Sequence, residues 1–191
     1  MKFCSECGHD LELRVPSGDD RQRHVCTHCG AIHYRNPKII ASCIAHWQEK
    51  VVWINRAEEP RRGFWHIPAG FMERDESLHE AAIRELQEEA GVIADKKQLS
   101  LYTLGTLLFT NEVYVVFRVH LEEPVIEAGP EALEVALYAE HEVPWERMAF
   151  PVVEGLFRRF YSELRSGSFS LYMGEFRETS HRLFEIVEPL Q

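Results

Sequence analysis

The sequence predicts an α+β layered domain preceded by a small metal-stapled module. Three observations carry this. Runs rich in β-branched residues come in pairs; two well-delimited helical patterns occur among them without strict alternation; and four of the five cysteines fall within residues 4–29. At 191 residues, 45% apolar and 27% charged, the chain is long enough for one good core and an accessory module. Its mainly apolar stretches, such as Ile39–Ala45, are far too short to span a bilayer. The opening MKFCSECGHD has no apolar secretory core, so a soluble cytoplasmic protein is expected, with no membrane partner.

The metal-stapled module comes first. Cys4-x-x-Cys7 and Cys26-x-x-Cys29 are separated by 18 residues, Gly8 to Val25, which is the spacing of four-thiolate zinc sites. A two-residue gap turns both sulfurs of a pair onto one tetrahedral ion, and four ligands leave no open position, so the zinc is expected to be structural. A disulfide or a redox CxxC is the alternative. The absence of a secretory signal disfavours the first, and two copies at this spacing disfavour the second. A complete cysteine set leaves His9, His24, His28 and His33 facing solvent. Cys43, inside an apolar run, reads as a core thiol. Residues 1–35 have too few apolar side chains for a core of their own, so the metal must hold them together.

Tyr34–Lys38 reads as an extended connector, because Pro37 disfavours helix at Asn36. The main domain, 36–191, opens with Ile39–His46 and Val51–Asn55, a predicted hairpin. A helix follows from about Ser77 to Ala90, begun by the capping box Ser77-x-x-Glu80 and ended by Gly91. Leu101–Phe109 and Val113–Leu121 form a second strand pair about Thr110–Glu112, and Leu133–Ala139 is a further strand. A second helix runs from about Pro151, a residue tolerated in a first turn, to Leu164, with Gly167 beyond it. A tail completes the chain.

The formal charge is −10, from 21 basic and 31 acidic residues. That balance argues against a broad nucleic-acid surface, which needs clustered Lys and Arg. The excess is concentrated: residues 70–92 contain seven acids (Glu73, Asp75, Glu76, Glu80, Glu85, Glu88, Glu89) against Arg74 and Arg84. At 100° per residue Glu85, Glu88 and Glu89 share one arc of the helix, beside Ala82, Ile83, Leu86 and Ala90, which can pack on a sheet. Crowded carboxylates repel unless cations neutralise them, and hard oxygen ligands suit Mg²⁺ or Mn²⁺, which also bind phosphate. Arg84 is placed to pair with Glu80 or Glu88 at four residues' distance. A solvated acidic face is the alternative.

The same stretch, GFMERDESLHEAAIRELQEEAGV, fits G-x5-E-x7-R-E-U-x-E-E-x-G-U at every specified position, U being bulky and apolar. Gly70, Glu76, Arg84, Glu85, Leu86, Glu88, Glu89, Gly91 and Val92 occupy those positions. This resembles the Nudix box, preceded by its usual lead-in Phe64–Gly70. The resemblance implies a Nudix fold, a mixed sheet between helices, behind an N-terminal zinc ribbon. It implies hydrolysis of a phosphoanhydride in a nucleoside diphosphate linked to another group. It makes Glu85, Glu88 and Glu89, with the Ala69 carbonyl, the Mg²⁺ ligands, and Gly70, Glu76, Arg84 and Gly91 the supports of the box. The catalytic base in such enzymes comes from varied places; Glu131 is the first choice and Glu134 the second, in the loop EAGPEALE.

For the substrate, the NADH pyrophosphatase group, which also removes NAD caps from RNA, carries an SQPWPFPxS-like array that residues 93–120 lack. A closer likeness is to zinc-ribbon Nudix proteins including the plant chloroplast FAD pyrophosphatase. It rests on CTHCG at 26–30, the 34–38 connector, PAG at 68–70, GPEALE at 129–134 and VPWERMAF at 143–150. That implies FAD hydrolysis to FMN and AMP, with ADP-ribose or NADH as competing substrates. Trp47, Trp53, Trp65, Trp145 and Phe150 are candidates to stack a flavin or adenine, core filling being the alternative. Arg61 and Arg62 are candidates for a terminal phosphate. A zinc-ribbon module that recruits nucleic acid or protein is the rival function, but residues 1–35 balance five bases with five acids. Likeness to ADP-ribose-type enzymes leads us to expect a homodimer.

Overall fold

The computed structural model describes residues 1–186; the end of the expected tail, 187–191, lies outside them. Contacts group the chain into two compact units, one spanning Met1–Pro37 and the other beginning at Lys38.

In the first unit β1 (Leu11–Arg14), β2 (Arg23–Cys26) and β3 (Ile32–His33) form an antiparallel three-stranded sheet in that order. Few apolar side chains are buried here apart from Val25, while Leu13, Val15 and Ile32 remain exposed. The knuckles turn at Gly8 and Gly30, both with positive φ.

The second unit contains β4 (Lys38–Trp47), β5 (Lys50–Arg56), β6 (Trp65–His66), β7 (Ala69–Phe71), α1 (Leu78–Ala90), β8 (Ser100–Leu107), β9 (Glu112–His120), β10 (Ala132–Tyr138), α2 (Glu154–Ser166), β11 (Leu171–Arg177) and β12 (Ser180–Ile186). One mixed sheet runs β10-β5-β4-β9-β8-β11-β12, with β6 attached to β5 and β7 to β4. The β4/β9 and β8/β11 pairs are parallel. Helix α1 covers one face with Ala81, Ala82, Leu86 and Ala90 against Cys43, Ala45, Val52 and Ile54. Helix α2 covers the other with Leu156, Phe157, Phe160 and Tyr161 against Ile44, Val51 and Trp53. A strand covered on both faces needs no alternation of apolar and polar residues. Ala41–His46 of β4 is accordingly buried throughout. Each large apolar side chain so enclosed contributes roughly 1.5–3 kcal/mol.

Two expectations are modified. The β4–β5 hairpin is paired only at its turn, His46↔Val51 and Trp47↔Lys50. Beyond that the strands diverge, and residues 65–71 fill the wedge: β6 pairs with β5, β7 with β4, and the Pro68 carbonyl accepts from Cys43 N–H at 3.1 Å. Pro68 has no N–H to satisfy, which suits it to this crossing point. The tail through residue 186 is also ordered into the β11–β12 hairpin, which extends the sheet beyond β8.

Candidate active site

The acidic helix is defined at both ends. Glu80 N–H donates to Ser77 Oγ at 3.3 Å, and Ser77 N–H donates to the Glu80 carboxylate at 2.9 Å, completing the capping box. At the other end Gly91 adopts φ +67° and donates to Gln87 O. A side chain at Gly91 would be strained by that φ and would also meet Glu127 at 2.9 Å.

Arg84 is the hub of the box. Its guanidinium donates to Glu76 at 2.8 and 3.1 Å, Glu85 at 2.6 Å, Glu88 at 3.1 Å and the Phe71 carbonyl at 3.1 Å. It thus fastens the 71–76 loop to the helix. Glu80, the other partner expected for Arg84, caps the helix and pairs with Lys96 instead. Glu85 lies directly against Gly70: a Cβ there would fall 2.1 Å from a Glu85 carboxylate oxygen. Glu89 accepts from Ala69 N–H at 2.8 Å. Small residues on the sheet-facing side of α1 let the helix sit close, so Glu85 and Glu89 are buried at the sheet margin while Glu88 stays exposed. Burial raises the Glu85 carboxyl above its ordinary range despite Arg84. Burial likewise pushes Glu89 up to about 8, opposed by the Ala69 N–H and reinforced by Glu85. Carboxylates whose ionisation is resisted by burial and by one another are the donor set that a divalent cation would relieve.

The loop after Leu121 docks on the helix C-terminus. Glu127 N–H donates to Ala90 O at 2.8 Å and Gly129 N–H to Glu89 O at 3.2 Å, satisfying carbonyls the helix leaves open. Gly129 is indispensable to that docking, since a Cβ on it would sit 1.6 Å from the Glu88 carbonyl oxygen. Two residues on, the Glu131 carbonyl accepts from Ala57 N–H at 2.9 Å, and its carboxylate acts electrostatically on both Glu85 and Glu89. Glu134 pairs across the sheet with Asn55, and its charge is felt by Tyr138. The structure therefore gathers Ala69, Gly70, Glu76, Arg84, Glu85, Glu88 and Glu89 around α1, closes the helix at Gly91 and docks the loop of Glu131 on that end, while Glu134 lies on β10 opposite Asn55. An open cleft of about 910 Å³ flanks α1 between Arg84, Glu88, Lys96 and the 127–130 loop.

Sequence reasoning missed two supports. Ser42, buried in β4, donates to the Pro68 carbonyl at 2.9 Å and accepts from Tyr114 at 3.3 Å, fixing the turn before Ala69. Arg56, at the end of β5, donates to Pro60 O at 3.1 Å and lies 3.1 Å from His66 Nε2. Neither residue belongs to a motif. The four Trp are absorbed by packing: Trp53 and Trp65 are buried, Trp47 and Trp145 partly so. Phe150 remains 40% exposed. Arg61 covers the Phe64 ring and Arg62 donates to Ala57 O.

In the first unit, the sulfurs of Cys4, Cys7, Cys26 and Cys29 all lie within 4.8 Å of one another. The Cys4–Cys29 and Cys7–Cys26 separations are 3.7 and 3.4 Å. Tetrahedral zinc with 2.3 Å bonds places its sulfurs about 3.8 Å apart, so the four residues fit that ion. The Cys29 and His28 N–H groups, each 3.4 Å from Cys26 Sγ, hold this thiol down near 6. The expectation for the histidines is corrected at His33. Its Nε2 lies 3.3 Å from Cys4 Sγ, because β3 runs beside β2 and carries the ring over the sulfur cluster.

A helix whose carboxylates are held against a glycine turn by an arginine hub is the arrangement that the sequence motif at 70–92 led us to expect. The chain belongs to the Nudix hydrolase family: the NUDIX domain model matches residues 37–160, and the Nudix N-terminal zinc-ribbon model matches residues 2–35. It is similar to the NAD-capped RNA hydrolase NudC of Salmonella heidelberg (strain SL476), 31% identical over 146 residues, 75% of this chain and 53% of that protein. It is similar also to the ADP-ribose pyrophosphatase of Methanocaldococcus jannaschii, 28% identical over 123 residues, 61% of this chain and 69% of that protein. The chain spans about half the length of the NudC relatives. Among solved structures, a NUDIX hydrolase from Nitrosomonas europaea superposes with a TM-score of 0.85 and 40% identity, covering 93% of this chain and 99% of that one. No described helix is long and apolar enough to cross a membrane.

Proposed function

We propose that the domain from residue 36 onward hydrolyses the diphosphate of an AMP-containing compound, ADP-ribose or a dinucleotide such as NADH or FAD, releasing AMP. The observation that carries this reading is the convergence of Glu85, Glu88 and Glu89 on the Ala69–Gly70 turn and the Arg84 guanidinium. Glu85, Glu88 and Glu89, with the Ala69 carbonyl, would hold Mg²⁺ or Mn²⁺. The metal supplies neutralisation of the diphosphate and a lowered pKa for the attacking water. Glu131, on the loop that Glu127 and Gly129 dock onto the end of α1, is the base that accepts the proton of that water. Arg84 keeps Glu85 and Glu88 oriented and Ala69 N–H keeps Glu89 oriented. Residues 1–35 are a zinc ribbon held by Cys4, Cys7, Cys26 and Cys29, and the enzyme is a homodimer.

ADP-ribose ranks first among the substrates, because a relative matched over most of its own length bears that name. A second reading is an NAD-capped RNA substrate. The names of the NudC relatives favour it, restoring weight that the missing SQPWPFPxS-like array had removed. The net charge of −10 opposes extensive RNA contact beyond the cap.

A panel of ADP-ribose, NADH, FAD and NAD-capped RNA with Mg²⁺ or Mn²⁺, products identified by mass, tests the reading. AMP release from ADP-ribose is expected, and FMN release would move FAD to first place. Absence of cleavage across the panel would refute the reading. Glu88→Gln is expected to lower turnover by roughly a hundredfold or more while the thermal melt stays unchanged. Full activity in that variant would remove Glu88 from the metal site.

A further inference from the structure

We infer that Arg56, His66 and Phe150 form the subsite that receives the aromatic base of the nucleotide, with Phe150 as its stacking face. This rests on the hydrolase reading and specifies how its substrate is recognised. Arg56 and His66 come from paired strands: β5 and β6 set Ile54 opposite His66 and Asn55 opposite Trp65. The third residue, Phe150, arrives on the chain that returns alongside β6, where Ala149 N–H donates to Trp65 O at 2.8 Å. The Phe150 ring lies edge-on to His66 with centroids 5.9 Å apart, and the Arg56 guanidinium is 5.8 Å from its centre.

The chemistry of this trio is unlike that of a core contact. His66 is 95% buried, being 5% exposed, and Arg56 NH1 lies 3.1 Å from its Nε2. A neutral imidazole with Nε2 as the acceptor satisfies that arrangement, because the guanidinium has only donors. Arg56 is otherwise held by the Pro60 carbonyl, and it makes no ion pair with a carboxylate among the described residues. The next residue, Ala57, donates its N–H to the Glu131 carbonyl at 2.9 Å, which sets the end of β5 beside the loop docked on the acidic helix. An arginine pinned by neutral partners keeps N–H donors and a full charge for an incoming anionic ligand. Of the aromatic residues singled out from the sequence, Phe150 is the one that combines an open ring with this neighbourhood, since the Trp side chains are taken up in packing. A flat apolar ring beside a guanidinium suits a heteroaromatic base attached to a phosphate.

Titration calorimetry on the full-length, zinc-loaded protein with Mg²⁺ tests this, using AMP and ribose 5-phosphate as probes. Both present a phosphate, and only AMP presents a base. Phe150→Ala is expected to weaken AMP roughly ten- to a hundredfold, the range for loss of one base–aromatic stack, and to leave ribose 5-phosphate unchanged. Phe150→Trp should restore AMP affinity; Phe150→Leu, which keeps apolar bulk and guards against loss of the fold, should not. Arg56→Gln should weaken both probes. Unchanged AMP affinity in folded Phe150→Ala and Phe150→Leu would overturn the subsite, as would equal loss for both probes. The readout needs no turnover. Base-dependent binding without hydrolysis would leave the subsite standing and remove the hydrolase reading; hydrolysis with AMP binding indifferent to Phe150 would do the reverse.

Discussion

Replacing Gly129 by alanine isolates the docking of the 127–131 loop on the acidic helix. The added Cβ would lie 1.6 Å from the Glu88 carbonyl oxygen and 2.8 Å from its carbon. Ordinary contact requires roughly 3.2 Å or more, so the loop and helix must part by about 1.5 Å. Parting breaks the Glu127 N–H···O Ala90 and Gly129 N–H···O Glu89 bonds. Each is worth about 1 kcal/mol, and overpacking adds about 1–3 kcal/mol. A total of about 4 kcal/mol corresponds to a fall of about 10 °C in Tm for a domain of this size. Glu131 moves with the loop, and a displacement of about 1 Å at a proton-accepting group costs about a hundredfold in rate. Thermal unfolding and steady-state kinetics on ADP-ribose read the two effects separately. If the kinetic loss acts through Glu131, the Gly129→Ala/Glu131→Gln double variant should be hardly slower than Glu131→Gln alone. A Tm within about 2 °C of the parent protein, with unchanged turnover, would refute the steric reasoning.

Three further outcomes are expected. Cys26→Ser should abolish stoichiometric zinc retention, measured by elemental analysis after gel filtration; a full equivalent of zinc in that variant would remove Cys26 from the site. Acid should destabilise the fold through His46 and His66, which burial holds down near 4 and 3. Their folded pKa values lie below the unfolded value of about 6.5, so this stability is fully present above pH 6.5 and declines as pH falls toward the folded values. At pH 5 each costs about 2 kcal/mol, and His46→Phe/His66→Gln should flatten the urea-midpoint profile between pH 6.5 and 4.5. A profile as steep as the parent's would assign the acid sensitivity elsewhere. Light scattering should give the mass of two chains, and a monomer at micromolar concentration would end the dimer expectation.

The box was legible because its chemistry is local. Arg84, Glu85, Glu88 and Glu89 fall on one helix, so spacing predicts their company, whereas Glu76, in the loop before it, was placed with Arg84 by the family resemblance. Glu131 was nameable only by family likeness, since what brings it to the helix is a backbone clamp at Gly129 that leaves no pattern. Arg56, His66 and Phe150 are scattered over about a hundred residues and meet through strand pairing, which periodicity does not encode. The β6 and β7 strands are two and three residues long, too short for any period to show. In β11 the buried positions Tyr172, Gly174 and Phe176 do alternate, but the glycine at the centre weakens the strand signal. Ser42 and Tyr114 read as ordinary strand residues, and only the crossing at Pro68 gives them work.

The family boundary and the folding boundary of this chain differ. The NUDIX domain match ends at residue 160, within α2, yet β11 pairs in parallel with β8 and contributes the buried Tyr172 and Phe176 to the α2-side core. A protein trimmed to the matched segment would turn β8 from an interior strand into a bare edge, with unpaired backbone groups open to other chains. It would also strand Tyr102, whose ring packs on Tyr172 and whose hydroxyl donates to Glu163, a residue beyond the cut. For expression, fusion or insertion, the unit to keep whole therefore extends at least through β11, and the sequence motif at its centre is a poor guide to how far that folded unit reaches.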